Sequence, residues 1–319
     1  MDKLMPSPVL IIGAAGFVGG HLLNHLHVLE VETIATKLPG ESIKAFSDQC
    51  VDLDILDANA VLETVRRFRP AAIIHLAAQS SVSRSWSQMD LTVDINVKGT
   101  IHVLEAVRQV SPNTRVVLIG SSEEYGPICH QEPVKETNIL HPNNPYAVSK
   151  AAQTMFGQMY FRAYGIDVIV MRAFNHIGAG QAPGFVVPDF CRQIVRIERN
   201  LAEPIIHVGN LEAKRDFSDV RDIVRGYALV LANGKSGSIY NIGSGHSVSI
   251  DTILRKLMEL SHVSITIMPE KDRMRPSETP VLEADVQQLQ LDTGYIPEIS
   301  LEESLRSALE FERLNLSEG

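Results

Sequence analysis

The sequence predicts an α/β protein: a doubly wound parallel sheet in the first half and a smaller α/β domain toward the C-terminus. Three observations carry this expectation. Short runs of consecutive apolar, β-branched residues alternate with longer helical stretches. A glycine-rich turn follows the first of those runs. The alternation breaks after about residue 172.

The strand runs are 9–12, 31–36, 72–76, 115–120 and 167–172. They are apolar on consecutive positions, as strands covered on both faces are. Helical stretches near 17–29, 58–68, 93–109 and 145–164 lie between them. Strands alternating with helices build a parallel sheet. Beyond residue 172, glycine and proline cluster in HIGAGQAPG, a helix follows near 187–200, and the strands shorten. SIYNIG at 238–243 reads as one more strand of the first sheet. The expected domains are 1–174 and 175–319, with a return segment near 214–244.

The 319 residues are long for one domain and comfortable for two unequal ones. An apolar fraction of 45% and a charged fraction of 21% are ordinary for a globular chain. No apolar run reaches the ~18 residues of a transmembrane helix. Pro6 and Pro8 interrupt the N-terminus, which lacks a signal core, so a cytoplasmic location is expected. Cys50, Cys129 and Cys191 lie far apart, and no cysteine or histidine spacing suggests a metal site. A net charge of −9 argues against nucleic-acid binding. Phosphates on a ligand would therefore have to be held by individual basic residues.

Gly13-Ala14-Ala15-Gly16-Phe17-Val18-Gly19 follows a strand and opens a helix. Gly13 allows the tight turn, Gly16 lets a pyrophosphate approach, and Gly19 allows close helix packing. The helix N-terminus offers N–H groups to phosphates. Ala15, Phe17 and Val18 complete the turn on which a nicotinamide dinucleotide would lie. The end of the second strand reads Ala35-Thr36-Lys37, with no acid for a ribose 2′-OH. Lys37 is there to meet a 2′-phosphate or is simply solvated. The cofactor expectation is NADPH, with NADH possible. Asp52, followed by Leu53, is a candidate for the adenine edge or a turn acid. His75-Leu76-Ala77-Ala78-Gln79-Ser80 follows the third run. Leu76, Ala77 and Ala78 let a cofactor lie against the backbone, whereas His75 and Asn96 read as packed structural residues.

The chemistry is expected from Ser121-Ser122-Glu123-Glu124-Tyr125-Gly126 and Tyr146-Ala147-Val148-Ser149-Lys150. Asn144-Pro145 reads as a helix cap and first position. Tyr146 and Lys150 are then one turn apart on one face. An ammonium near a phenol lowers its pKa, and such a tyrosine can pass the proton that accompanies hydride transfer.

GAAGFVG, HLAAQS, SSEEYG and YAVSK resemble the extended short-chain dehydrogenase/reductases that act on nucleotide sugars, over nearly the whole chain. The resemblance implies a Rossmann dinucleotide-binding domain and a nucleotide-sugar domain. It implies that Tyr146 is the acid/base, that Lys150 also holds the nicotinamide ribose, and that Ser121 hydrogen-bonds the reacting sugar oxygen. RAFNHIGAGQ, GNLEAKRDFSDVRDI, YNIGSG and RMRPSE are similar to the GDP-mannose branch, most of all its GDP-4-keto-6-deoxymannose reductases. LEADVQQLQ at 282–290 departs from that branch. Ser80, Ser122, Asn175, Arg215, Arg275 and Glu278 are the implied substrate contacts, with the arginines suited to a diphosphate.

The leading expectation is NAD(P)H-dependent reduction of the C4 ketone of a GDP-4-keto-6-deoxymannose-type sugar to GDP-rhamnose. A GDP-mannose 4,6-dehydratase is the alternative, because Glu123 stands where the eliminating base would be; an epimerase is third. A cofactor-sensing protein without turnover is the non-enzyme alternative, opposed by the presence of both Tyr146 and Lys150. A homodimer is expected through the helices near 93–109 and 145–164, whose apolar residues include Ile101, Leu104, Met155, Phe156 and Phe161.

Overall fold

The computed structural model describes residues 5–128, 132–270 and 279–316. Arg275, Glu278 and Cys129 lie outside the described residues. The first six strands are β1 (Val9–Ile12), β2 (Thr33–Lys37), β3 (Gln49–Asp52), β4 (Ala72–His75), β5 (Arg115–Ser121) and β6 (Val168–Ala173). Then β7 (Asn175–Ile177), β8 (Ile205–Val208) and β9 (Lys214–Asp219) leave that sheet, and β10 (Ile239–Ile242) returns to it. The result is a seven-stranded parallel sheet in the order β10-β6-β5-β4-β1-β2-β3.

Side-chain alternation in β1 divides the core. Val9 and Ile11 join one cluster with Leu22, Leu26, Val224 and Tyr227; Leu10 and Ile12 join another with Val61, Val103 and Tyr160. Helices α1 (Phe17–Val28) and, later in the chain, α8 (Val220–Asn233) and α10 (Gln287–Thr293) cover the first face. The second face is covered by α2 (Ala58–Phe68), by the run α3 (Val82–Ser87), α4 (Met89–Val93) and α5 (Gly99–Val110), and by α6 (Pro145–Tyr164). A third cluster lies among α7 (Val186–Glu198), α9 (Ile250–Glu259) and α11 (Leu301–Asn315). It backs two small sheets made with β11 (Ser247–Ser249), β12 (Thr266–Pro269) and β13 (Val281–Leu282). In these, β9 pairs with β7, β11 and β13, and β12 pairs with β8.

Two elements differ from the sequence expectation. Strand β3 was not anticipated, since Asp52 reads from the sequence as a ligand contact or a turn acid. It is an exposed sheet edge, so QCVD carries no apolar run. The helix expected over 93–109 is interrupted by a wide π turn at Asp94–Lys98. There Asn96 is buried; its Oδ1 accepts from Gln79 N at 2.8 Å and its Nδ2 donates to Gln79 O and to Ser149 Oγ. The widened turn carries Asn96, which ties the loop after β4 to α6.

Of the apolar residues expected to pair two copies, Leu104 is fully buried in the core, while Phe156 and Phe161 pack partly against it. They lie under α5 and α6, facing the sheet. The outward residues of this layer are Trp86, Met89, Val93, Val148 and Met155. No helix among the described residues is long and apolar enough to cross a membrane.

Candidate active site

A cavity of about 570 Å³ opens where the parallel strands end, the edge at which such sheets bind ligands. The turn after β1 forms one wall. Gly13 has φ +87°, and a Cβ there would lie 2.6 Å from Ala77 N. A Cβ on Gly19 would lie 2.4 Å from Ala14 O. Both positions therefore require glycine. Gly16 caps α1 without any side-chain cap, and the first helical turn holds no acid. That is an anion cradle of bare backbone N–H groups. Gly13, Gly16, Phe17, Val18 and Gly19 line the cavity, with Leu76 and Ala78 from the loop alongside Gly13. Phe17 stacks on His176 with centroids 6.1 Å apart, and His21 meets Phe17 edge-on at 5.4 Å. His21 Nε2 lies 2.9 Å from Ala179 O, so the loop beyond β7 is fastened to α1.

Helix α6 supplies the second wall. Asn144 Oδ1 accepts from Ala147 N at 2.9 Å and Pro145 follows, which starts the helix beside β5. Tyr146 and Lys150 are buried and both line the cavity. The Ser121 hydroxyl accepts from Glu123 N at 3.2 Å, and Ser121 lines the same cavity wall as Tyr146. Asn144 Nδ2 donates to Glu123 Oε2 at 3.0 Å, holding that carboxylate over the cavity.

The expectation that Lys150 lowers the Tyr146 pKa is corrected here. Burial pushes the phenol up to about 12, with the Ser121 hydrogen bond pulling against it. Lys150 Nζ instead donates to Ile119 O at 2.7 Å and Gln153 Oε1 at 2.8 Å. Burial lowers Lys150 to about 8, and Glu124 opposes that shift. Desolvation acts on both groups in the direction of their neutral forms.

The remaining expected residues fall at different distances from this centre. Ser122 is buried on the cavity wall; Ser80 and Asn175 are exposed at its rim. Arg215 is half-buried on β9, donating to Lys214 O at 2.8 Å and Thr279 O at 2.9 Å, and senses the charge of Glu123. Lys37 and Asp52, considered separately in the sequence, are partners in an ion pair at the ends of β2 and β3. Leu53 is in the core and Ala77 packs partly against it. Ala15, Lys37, Asp52, Leu53, Ala77 and Arg215 are not part of the cavity lining. The sequence reading missed Gln181, Phe217 and Tyr227, which do line it. It also missed Glu124, whose carboxylate is fully buried beneath Ser121. Glu124 is adjacent to a residue that was singled out; no spacing pattern marks Tyr227. Among the described residues, no cluster of His, Cys, Asp and Glu is placed to hold a metal.

The sheet, the glycine cradle and the Ser-Tyr-Lys centre define a short-chain dehydrogenase/reductase of the nucleotide-sugar type. A family model described as GDP-mannose 4,6 dehydratase matches residues 10–308, and the chain belongs to that family. Its members are NAD(P)-dependent nucleotide-sugar dehydratases, reductases and epimerases, and this protein is an enzyme of that group. The GDP-6-deoxy-D-mannose reductase of Pseudomonas aeruginosa is 31% identical over 306 residues, covering 96% of this chain and 97% of the relative. The dTDP-glucose 4,6-dehydratase of Haemophilus influenzae is 26% identical, covering 97% and 98%. Among solved structures, RMD from Pseudomonas aeruginosa complexed with NADPH superposes with a TM-score of 0.87 at 30% identity, covering 97% of this chain and 99% of the other. The Thermus thermophilus UDP-glucose 4-epimerase complex with NAD gives 0.85 at 26%, covering 97% and 99%.

The Lys150 shift sets a pH dependence. Its folded pKa of about 8 is below the ordinary 10.5. Between those values the unfolded chain binds a proton that the folded chain releases, so stability contributed by this group rises with pH. In urea titrations the wild type is expected to gain stability over Lys150→Met from pH 8 to pH 10. A constant or shrinking difference over that window contradicts the shift.

Proposed function

We propose that this enzyme reduces the C4 ketone of a GDP-4-keto-6-deoxymannose-type sugar to GDP-rhamnose, with NADPH as the reductant. The observation that carries the reading is the convergence of Ser121, Tyr146 and Lys150 on one cavity wall, where burial pushes the Tyr146 phenol pKa up. A phenol kept protonated is a proton donor, which reduction requires. The resemblance to the Pseudomonas aeruginosa reductase points the same way.

The glycine cradle and the unopposed α1 N-terminus fit a dinucleotide diphosphate, and Leu76 and Ala78 leave room beside it. Lys150 would hold the nicotinamide ribose. When bound, the nicotinamide supplies the hydride. Ser121 and Tyr146 together polarise the ketone oxygen, and Tyr146 gives it the proton. Arg215 and Arg275 hold the sugar-nucleotide diphosphate, and Ser80, Ser122, Asn175 and Glu278 orient the sugar. The division of labour is residues 1–174 for the dinucleotide and 175–319 for the nucleotide sugar, with 214–244 returning to the first unit.

The dehydratase is the second reading, favoured by the Glu123 carboxylate that Asn144 holds at the cavity wall. It would remove the C5 proton and require no net reductant. Mass spectrometry with each sugar separates the two. The expected result is one NADPH oxidised per GDP-4-keto-6-deoxymannose and no conversion of GDP-mannose. Tyr146→Phe is expected to keep the fold and lower turnover roughly 10²–10⁴-fold. Glu123→Gln is expected to affect mainly substrate binding. Conversion of GDP-mannose without net NADPH use, abolished in Glu123→Gln, would establish the dehydratase instead.

The preference for NADPH rests on Lys37 and on the absence of an acid at the end of β2. A 2′-phosphate must compete with Asp52 for that ammonium. Lys37→Glu is expected to weaken NADPH binding roughly tenfold and leave NADH almost unchanged, the scale of one charged hydrogen bond. A wild type that binds NADH far better contradicts this assignment.

A second copy of the chain would cover the outward face of α3, α4 and α6. Trp86 and Met155 are 61% and 60% exposed there, with Met89, Val93 and Val148 beside them, an apolar grouping of the kind that marks an interface. Sedimentation at micromolar concentration is expected to give twice the chain mass; a monomer removes the idea.

A further inference from the structure

Four tyrosines are fully buried: Tyr125, Tyr227, Tyr240 and Tyr295. Three of their hydroxyls have partners. Tyr125 Oη donates to Asn241 Oδ1 at 2.6 Å, Tyr240 Oη to Asp292 Oδ2 at 2.8 Å, and Tyr295 Oη to Gly243 O at 3.2 Å. Tyr227 Oη has none. It is also the one of the four that lines the cavity. A buried hydroxyl without a partner is costly, and native interiors seldom keep one without a water or a ligand to satisfy it.

The position of Tyr227 says which part of a ligand it would meet. It lies two turns into α8, whose first residue, Val220, faces Gly178 near the Phe17 ring. Helical side chains lean toward the N-terminus of their helix, so the ring rises between α1 and the sheet toward the strand ends. It lines the same cavity as Tyr146, whose charge acts on the Tyr227 phenol. Across the same cavity, Gln181 Oε1 is a second buried side-chain atom without a partner. The wall between the glycine cradle and Tyr146 thus presents an unused donor from below.

We propose that the Tyr227 hydroxyl is a ligand-binding group that donates a hydrogen bond, directly or through one enclosed water, to an oxygen of the ribose–phosphate segment of the dinucleotide. This rests on the reading of the cavity as a dinucleotide site. It assigns a binding role to a residue of the α8 core face, remote in sequence from the glycine turn and from the Tyr146–Lys150 helix.

The test is Tyr227→Phe, which removes the hydroxyl and keeps the ring. Dinucleotide affinity is read by quenching of protein fluorescence, and thermal unfolding is followed without ligand. NADPH and NADH are both expected to bind 5- to 20-fold more weakly, with their ratio unchanged because the contact is far from the 2′-phosphate. The melting temperature of the free protein is expected to stay the same or rise, since no protein group pairs with the hydroxyl. Unchanged affinity for both dinucleotides overturns the proposal. So does a lower melting temperature in the free variant, which would mean that the hydroxyl already has a partner. If the wild type binds neither dinucleotide, the reading of the cavity fails, and the proposal with it.

Discussion

The site depends on one buried carboxylate. Glu124 follows β5 with its side chain fully enclosed, and its Oε1 accepts from Ser121 N at 2.9 Å. Its Oε2 accepts from Thr154 Oγ1 at 2.9 Å and from Arg172 Nε at 3.0 Å. One side chain therefore fixes the end of β5, the end of β6 and the middle of α6. Arg172 Nη1 continues to Tyr125 Oη at 3.1 Å, and Tyr125 reaches Asn241 on β10. A buried ion pair is tolerable only when its remaining lone pairs and protons also find partners; Glu124 accepts from three donors, and Arg172 Nη1 also donates to Glu136 O at 3.2 Å. Burial drives the Glu124 pKa up while Arg172 pulls it down.

That network positions two buried residues of the cavity wall. Ser121 is held by its backbone and Tyr146 by the helix that Thr154 anchors. Desolvation then sets their chemistry. It pushes the Tyr146 phenol pKa up and the Lys150 pKa down. Lys150 Nζ donates to Ile119 O and Gln153 Oε1. A ligand that completes the cavity would change that balance by replacing water with its own polar atoms.

The cavity wall joins two parts of the chain that fold on different cores. The α1 N-terminus, the β5 edge and α6 belong to the parallel sheet; Phe217 and Val187 come from elements backed by the third core. Relatives whose names carry different reactions match this chain across nearly their full length. Glu123 on this wall accepts from Asn144 Nδ2, and its charge acts on Arg215.

The sequence by itself determined the parallel sheet, the glycine cradle and the pairing of Tyr146 with Lys150 on one helix. Those features are local: apolar runs buried on both faces, Gly13 and Gly19 where a Cβ would strike backbone, and a capped helix starting at Asn144. Periodicity and caps act within a few residues and leave a readable pattern. Tertiary structure alone decided the rest. The exposed edge strand Gln49–Asp52 has no pattern to read, and it turned Lys37 and Asp52 into partners. Glu124, Arg172, Tyr125 and Asn241 are 47 to 116 residues apart in their contacts. Tyr227 reaches the cavity from a helix that looks like ordinary core. Burial also reversed the shift expected for Tyr146, because the pKa of a phenol follows the water it has lost, and that depends on every element packed around it.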